Sequence, residues 1–417
     1  MKFNKWTLGL AAVGAISLVP AARADEKQNV LDTALSNTTI SGSVSASMNW
    51  AIYPGGGLNV NSPAASIPFQ GPNKQDGFNL DVVRLTIAKP EDESPWASGY
   101  QVDLMFGPDA IGYNVAQNTS SSGGYYDGYS DFAIKQAYVT LRTPVGNGID
   151  WKIGVFDTVI GYEVTDAGSN PNYTRSWGYF VEPTEHTGVL ATYKVNDQWT
   201  FSAGVANTLY AGINTRDMES GFSNGAGSDW HKTYMGSLTY TAPTSWGWAA
   251  GSSLYAGVVY GFAGGGYMDG NQVNYYGGAT LNTPWKQVTT GFAFDFAQNL
   301  GGGSESGNYY QTTDVLVLGF YGTYKATDKL SINGRAEYVY GEQFTRGMDS
   351  GHGDGFEVTG TVEYDLWANV MTRLELRWDR VTTGSSFLGS SSSSDSESFV
   401  GSNRSAVGLY ANVIYKF

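Results

Sequence analysis

Charged residues that alternate with apolar ones form the most concentrated chemistry-bearing pattern in the chain. The alternating positions toward the C-terminus are Arg335, Glu337, Glu363, Arg373, Glu375, Arg377 and Asp379. Residues two apart lie on one face of an extended strand, so these side chains would form a ladder of opposite charges. Such a ladder can line a water-filled lumen, or it can stabilise neighbouring strands through cross-strand pairs worth about 0.2–1 kcal/mol each. Both interpretations are open.

Four more charged residues have the same inward parity within their own alternating segments, namely Arg84, Asp103, Lys152 and Lys194. Taken together, the two groups nearly balance positive and negative charge. This balance favours a mixed-charge pore over an anion channel lined by cations alone. The formal net charge of −14 predicts a weak preference for cations and opposes binding to a nucleic-acid backbone.

Residues 157–186 hold a second concentration of charge. Its carboxylates, Asp157, Glu163, Asp166, Glu182 and Glu185, surround a single cation, Arg175. Charges at the narrowest point of a channel set its selectivity. We therefore predict that this segment lines a constriction; an extracellular lid or a subunit contact is the alternative.

Catalysis has little support in the residue types present. The chain has no cysteine and three histidines, His186, His231 and His352, none of which forms an obvious pair with a serine and an acid. An outer-membrane hydrolase would need a nucleophile and a base within hydrogen-bonding reach. We predict a protein that is not an enzyme and that carries no cofactor or metal.

The N-terminus is typical of an exported protein. Two lysines precede an apolar stretch of about 12 residues, and an A-x-A cleavage pattern follows at 22–24. This stretch is shorter than the roughly 20 residues that a membrane-spanning helix needs. We predict a cleaved signal peptide at 1–24, a short periplasmic tail at 25–38 and one domain at 39–417. Cleavage would leave 21 basic and 38 acidic residues, a net charge of −17.

Beyond this leader, apolar and polar residues alternate in segments of about ten residues, the pattern of transmembrane β-strands. Sixteen segments follow it, at 39–50, 78–89, 99–106, 132–142, 149–156, 187–195, 199–207, 233–241, 246–262, 272–282, 286–296, 314–325, 329–340, 355–366, 370–381 and 404–417. We predict an all-β fold, a transmembrane antiparallel up-and-down β-barrel of about 16 strands. An even strand number closes the sheet without an unpaired edge, as lipid requires.

The connections between these segments alternate in length. Short turns follow the even-numbered segments, and long polar loops such as 382–403 follow the odd-numbered ones. This alternation predicts short periplasmic turns, long extracellular loops and periplasmic termini.

Aromatic residues concentrate near the segment ends, and the last segment ends in Tyr415 and Phe417. Aromatic rings suit the headgroup level of a bilayer, so we predict interfacial girdles; aromatic core packing is the alternative. The alternating apolar C-terminus resembles the signal that the outer-membrane assembly machinery reads. We therefore predict that machinery, outer-membrane lipid and lipopolysaccharide as partners.

An ordered set of short motifs resembles the OmpL-like beta-barrel porin family over roughly residues 40–417. The motifs are KQAYV at 135–139, WKIGVFD at 151–157, GYE at 161–163, NYTRS at 172–176, HTGV at 186–189, RAEY at 335–338 and RLELRWD at 373–379. Thr174 departs from the family pattern, where a serine is expected. The resemblance implies an outer-membrane porin and leaves the solute open.

The resemblance gives residues 157–186 a specific role. They form the third long loop, the position from which the constriction loop of sixteen-stranded general porins enters the lumen. We predict passive diffusion of small hydrophilic solutes and ions, and a homotrimer by analogy with general porins. The alternatives are a non-conducting barrel that acts as an adhesin, receptor or structural anchor, and a sheath around a multihaem electron conduit.

Overall fold

The computed structural model describes residues 37–52, 74, 77–110, 113, 132–207, 209, 213, 231–263, 270–299, 313–341, 353–383 and 405–417. The predicted signal peptide and most of the predicted tail lie outside these residues, as does His352. No helix in the described part of the chain is long and apolar enough to cross a bilayer.

Sixteen strands account for most of the described residues. They are β1 Thr39–Ile52, β2 Gly77–Lys89, β3 Ser98–Phe106, β4 Phe132–Thr143, β5 Ile149–Asp157, β6 Glu185–Lys194, β7 Trp199–Ala206, β8 Thr233–Thr241, β9 Ser253–Ala263, β10 Gly270–Asn282, β11 Val288–Asn299, β12 Thr313–Lys325, β13 Leu330–Gly341, β14 Gly353–Trp367, β15 Val370–Thr383 and β16 Ser405–Lys416. One short α-helix, α1, spans Trp177–Val181, and 3-10 turns span Pro108–Ala110, Ala167–Ser169 and Thr244–Ala249.

These strands form one closed barrel in which each strand pairs antiparallel with its neighbours in sequence and β1 pairs with β16. Closure is completed at the C-terminus, where Gly42 and Phe417 exchange backbone hydrogen bonds of 2.9 and 3.0 Å. Because every strand edge is paired, the barrel presents no unsatisfied backbone to lipid. The predicted fold class is confirmed.

The two faces of the sheet differ as the alternation predicts. Along β14, Glu357, Thr359 and Thr361 are buried, whereas Val358 and Val362 are 48% and 46% exposed. An apolar outer face is stable only against lipid, and the polar inner face stays inside the barrel. Tryptophans are exposed at strand ends, as the girdle interpretation predicts: Trp50, Trp199, Trp285 and Trp367.

Tyr415 and Phe417 lie at the seam between β16 and β1. Their side chains are about half exposed and their rings stack at a centroid distance of 6.5 Å. The terminal aromatic pair is therefore on the outer surface of the closing strand.

One strand boundary was wrong. The predicted segment 246–262 begins as a strand only at Ser253, because Thr244–Ala249 forms a 3-10 turn after Pro243. Gly247 and Gly251 adopt positive φ angles of 61° and 79°, which extended strands do not allow. The alternation at Trp246 and Trp248 belongs to this turn, where both indoles remain exposed.

Replacement of Leu376 by arginine should destabilise the barrel. Leu376 is 52% exposed near the middle of β15, with Gly360 and Leu409 as its neighbours across the sheet. A cation at this depth in lipid costs about 2–4 kcal/mol, whereas one near the membrane interface costs about 0–1 kcal/mol. Leu366→Arg, near the end of β14, is the matched control. Denaturant unfolding in lipid vesicles measures both costs, and equal costs would contradict a lipid-facing Leu376.

Candidate functional site

The segment between β5 and β6, residues 158–184, packs inside the barrel; we call it the inner loop. It is slightly shorter than the predicted loop 157–186, because Asp157 ends β5 and β6 begins at Glu185. Most of its side chains are buried, and its hydrogen bonds reach strands on the opposite side of the lumen. Backbone at membrane depth is tolerated where it is buried in protein in this way.

Two wall carboxylates bind backbone N–H groups of the inner loop. Glu375 on β15 accepts from the N–H groups of residues 173–174 at 2.5 and 2.9 Å. Glu337 on β13 accepts from residues 177–178 at 2.8 and 3.2 Å, where α1 begins. The first N–H groups of a helix have no partner within the helix, so a carboxylate there satisfies them and carries favourable charge. Ser176 caps the same turn through the Tyr179 N–H.

One wall arginine binds backbone carbonyls of the same loop. Arg373 on β15 donates through Nη1 to the carbonyl oxygens of Ala167, Asn170 and Asn172 at 3.0 to 3.2 Å. Its remaining donors reach Asn412 Oδ1 on β16. A guanidinium has five N–H donors in a fixed fork, so one side chain can hold several carbonyls of a turning backbone.

Arg335 and Arg377 also bind the inner loop. Arg335 Nη1 donates to Glu163 Oε1 and to the Thr174 carbonyl, each at 2.8 Å. Arg377 Nη1 donates to the Arg175 carbonyl at 2.5 Å. Both guanidinium groups are almost fully buried, and a buried charge is stable only when it is paired and hydrogen-bonded. The inner loop supplies part of that pairing.

Buried acids complete the charged contact. Glu357 accepts from Arg335 Nε and Nη2 at 3.1 Å, and Asp379 accepts from Arg377 and from the Trp177 indole. Glu363 is also buried. Six residues of the predicted C-terminal ladder therefore lie between the wall and the inner loop and hold the loop in place: Arg335, Glu337, Arg373, Glu375, Arg377 and Asp379.

The β2–β5 side of the lumen is less covered. Arg84 is 16% exposed, and Asp157 and Asp166 are 25% and 29% exposed. Arg84 pairs with Asp103 at 2.8 Å and lies 4.0 Å from Asp166 of the inner loop. Lys152 Nζ lies 4.8 Å from the centre of the Tyr138 ring. These side chains hold charge where water has partial access.

Asp166 is ionised beside the less covered β2–β5 wall. Its carboxylate accepts from Ser169 and caps the 3-10 turn through the Gly168 N–H. Burial acts to raise the pKa of Asp166, but nearby Arg84 and Lys416 outweigh burial and lower that pKa to about 2. Asp166 is therefore ionised throughout the physiological range.

The remaining predicted residues fall in different places. Arg175 is buried and donates to the Thr165 and Tyr173 carbonyls, so it braces the inner loop internally. Glu185 lies 3.4 Å from Lys135. The structure does not bring Lys194 to this site: its side chain is 58% exposed and pairs with Asp197 in the turn between β6 and β7 at 3.1 Å.

Sequence reasoning missed an apolar contact that holds the base of the inner loop. Its members include Val159, Ile160 and Tyr162 of the loop and Phe156, Leu190, Met235, Tyr255, Val259, Tyr276 and Tyr321 of the wall. Tyr162 stacks on Tyr321 at a centroid distance of 3.9 Å. A Cβ at Gly291 would lie 1.9 Å from the Tyr162 hydroxyl, so only glycine leaves room for this ring. The signal in the sequence that could have predicted this contact is the presence of glycines and tyrosines at inward-facing strand positions.

Two carboxyl groups meet where the loop leaves α1. Glu182 lies near Asp295 of β11, and Glu163 and Glu337 add negative charge nearby. A Cβ at Gly161 would lie 2.3 Å from Glu182 Oε2, so a larger residue there would displace this carboxyl. Burial, with Asp295 beside it, raises the pKa of Glu182 well above its usual range. Two neighbouring carboxyl groups repel each other when both are ionised, so such a pair holds a proton more tightly than an isolated carboxyl does.

Comparison with protein families gives one match. The family described as "Putative beta-barrel porin-2, OmpL-like" matches residues 37–417. No curated protein matches the chain at a significant level of sequence similarity.

Solved outer-membrane proteins share the fold. An anion-selective porin from Comamonas acidovorans aligns with a TM-score of 0.57 and 12% identity, over 91% of this chain and 99% of that chain. The outer membrane channel DcaP of Acinetobacter baumannii aligns with a TM-score of 0.56 and 13% identity, over 91% and 97%. A trimer form of OmpT from Vibrio cholerae aligns with a TM-score of 0.54 and 13% identity, over 91% and 99%. At these identities, the likeness shows the barrel fold.

Docking of the inner loop should weaken as the pH rises. Because the pKa of Glu182 is raised in the docked loop, docking binds a proton there, and stability is lost between the ordinary carboxyl pKa of about 4.3 and the raised value. Hydrogen exchange of residues 158–184, corrected for intrinsic pH dependence, should therefore be slower at about pH 5 than at about pH 8.

Glu182→Gln tests this assignment, because its amide cannot ionise. At about pH 8 its exchange should be slower than that of the wild type, and it should depend less on pH over the same range. Glu93→Gln, in the exposed turn between β2 and β3, is the control and should keep the wild-type pH dependence. An unchanged pH dependence in Glu182→Gln would show that another group titrates.

Proposed function

Because this chain belongs to the OmpL-like beta-barrel porin family, we propose that it forms a water-filled outer-membrane channel for passive diffusion of small hydrophilic solutes and ions. Barrels of 16 to 18 strands are wide enough to leave an aqueous lumen. The inner loop is the proposed constriction. The observation that carries the proposal is the docking of this loop across the lumen by buried wall charges.

The proposed path runs beside the β2–β5 wall. The inner loop covers the inward residues of β13–β15, and wall residues from the end of β5 to β12 pack with its apolar base. Partly exposed charges lie on the remaining side: Arg84 and Lys152 on the wall, and Asp157 and Asp166 at the loop. Ionised side chains in contact with water at a narrow point select among solutes by charge.

Transport fits the site better than catalysis. His186 is buried, with Nε2 3.1 Å from the Thr158 hydroxyl, and His231 stacks on Phe262 at 4.2 Å. We therefore assign these histidines to packing of the loop and the wall.

The proposed assembly and location follow from the family and the barrel. A cleaved leader at 1–24 would deliver the chain for export, and the exposed Tyr415 and Phe417 would present the assembly signal. The apolar belt would contact outer-membrane lipid and lipopolysaccharide. A homotrimer is proposed by analogy with the trimer form of OmpT.

Single-channel recording tests the channel itself. Protein purified from membranes and inserted into planar bilayers should give stable conductance steps in KCl. Silent bilayers, from protein whose heat-modifiable migration shows a folded barrel, would overturn the proposal and favour an adhesive, receptor or anchoring barrel.

Glu375→Gln should loosen the constriction. Glu375 accepts two loop N–H groups and the Thr361 hydroxyl, whereas glutamine has one acceptor oxygen and presents an N–H₂ group to donors. Loss of hydrogen bonds to a buried charge costs about 1.5–3 kcal/mol of docking. We expect larger or noisier conductance steps than in wild type, measured in the same bilayers.

Glu93→Gln again provides the control, because Glu93 is exposed in a periplasmic turn. It should leave both step size and noise unchanged. Wild-type steps from a folded Glu375→Gln barrel would show that the inner loop does not limit the current.

A further inference from the structure

A short segment after β3 turns back into the barrel. Gly107 has a positive φ of 119°, and the N–H groups of Ala110 and Tyr113 donate to the carbonyls of Gly107 and Ala110 at 2.9 and 3.2 Å. This backbone places Tyr113 in a buried apolar cluster with Met105 near the end of β3 and Ala133 near the start of β4. The Tyr113 ring therefore packs on the inward side of the wall, at the end of the barrel that carries the long loops.

Lys135 of β4 holds this ring from the side of the wall. Its Nζ lies 4.8 Å from the centre of the Tyr113 ring, and the same ammonium pairs with Asp157 and Glu185. Lys135 is fully buried. A cation over an aromatic face is attracted by the ring quadrupole, so this contact stabilises Tyr113 in its place.

Tyr179 of α1 is the counterpart on the inner loop. Its backbone N–H donates to the capping hydroxyl of Ser176 at 3.0 Å, and its side-chain hydroxyl hydrogen-bonds Thr165 Oγ1 at 3.1 Å. Arg175 Cζ lies 5.6 Å from the centre of the Tyr179 ring. These contacts fix the ring to the inner loop.

The two tyrosines meet across the gap between the wall and the inner loop. The Tyr113 and Tyr179 hydroxyl oxygens are 2.6 Å apart, which is a hydrogen bond in which one hydroxyl donates and the other accepts. Lys135, beside Tyr113, pairs with Asp157 at the end of β5, whereas Lys152 lies earlier in that strand. A solute that enters from the long-loop end would therefore reach the tyrosine pair before it reaches Lys152.

We propose that the contact between Tyr113 and Tyr179 forms the outer rim of the constriction and sets the size of solute that the channel admits. This inference rests on the proposed channel function. Small ions and solutes pass beside the bridged tyrosines, whereas larger uncharged solutes such as disaccharides pass only when the two hydroxyls separate. Pore diameter is one of the properties by which a channel selects its solutes.

Liposome swelling with sugars of two sizes tests the rim. Tyr113→Phe keeps the ring but loses the hydroxyl bridge. Loss of one neutral hydrogen bond should raise the rate for a disaccharide, relative to that for a pentose, about 2- to 10-fold. Tyr113→Ala, which also removes the ring, should raise this ratio further. Tyr260→Phe is the matched control, because Tyr260 is 38% exposed on the outer face of β9, and it should keep the wild-type ratio.

The swelling results separate the two proposals. A wild-type ratio in Tyr113→Phe and Tyr113→Ala barrels that admit the pentose would overturn the rim and leave the channel intact. Swelling in Tyr113→Ala alone would support the rim and overturn free diffusion through the wild type. No swelling from wild type or either variant, in barrels whose heat-modifiable migration shows that they are folded, would overturn the channel and the rim with it.

Hydrogen exchange measures the contact without transport. The amides of residues 178–181 should exchange faster in Tyr113→Phe than in Tyr260→Phe, because α1 loses its link to the wall. Equal exchange in the two variants would show that Tyr113 does not hold the inner loop, and it would overturn the rim.

Discussion

Mutual satisfaction of buried polar groups is the constraint on which the interior of this barrel depends. A loop inside the lumen must find partners for its backbone N–H and C=O groups, and charges on the covered wall must find partners of their own. Glu375 and Glu337 accept loop N–H groups, while Arg373 and Arg377 donate to loop carbonyls. The wall charges thus remove the free-energy cost of burying the loop backbone, and the loop backbone removes the free-energy cost of burying the wall charges.

The position of the inner loop divides the inward charged side chains into two sets. Those of β13–β15 are buried and hold the inner loop, as Arg335 does through Glu163 and Thr174. Those of the β2–β5 wall keep partial contact with water, as Arg84 does at 16% exposed. In the proposed channel, the first set would fix where the lumen is narrow, and the second would provide the charge that a solute meets there.

The inner loop also depends on side chains that carry no charge. Tyr162 stacks on Tyr321 over the space left by Gly291, so the loop base is held by shape as well as by hydrogen bonds. Between this apolar base and the charged contact lies the Glu182–Asp295 carboxyl pair, whose repulsion rises when both groups ionise. The inner loop is thus held at its apolar base and by the buried charges of β13–β15. The contact between Glu182 and Asp295, which lies between these two regions, depends on the protonation of the two carboxyl groups.

Alternation in the sequence determined the barrel, its sixteen strands and nearly all their limits, because a strand between lipid and a polar interior has to alternate with period two. The exception at 246–252 arose because a glycine-containing turn mimicked that period. Inward parity likewise identified Arg335, Arg373 and Lys152. Only the tertiary structure decided which of these charges are covered, because parity gives the face of a residue but not what packs on that face. The inner loop contacts strands far away in sequence, so its hydrogen bonds bury Arg335 and Arg373, whereas Lys152 lies over the Tyr138 ring on the less covered wall.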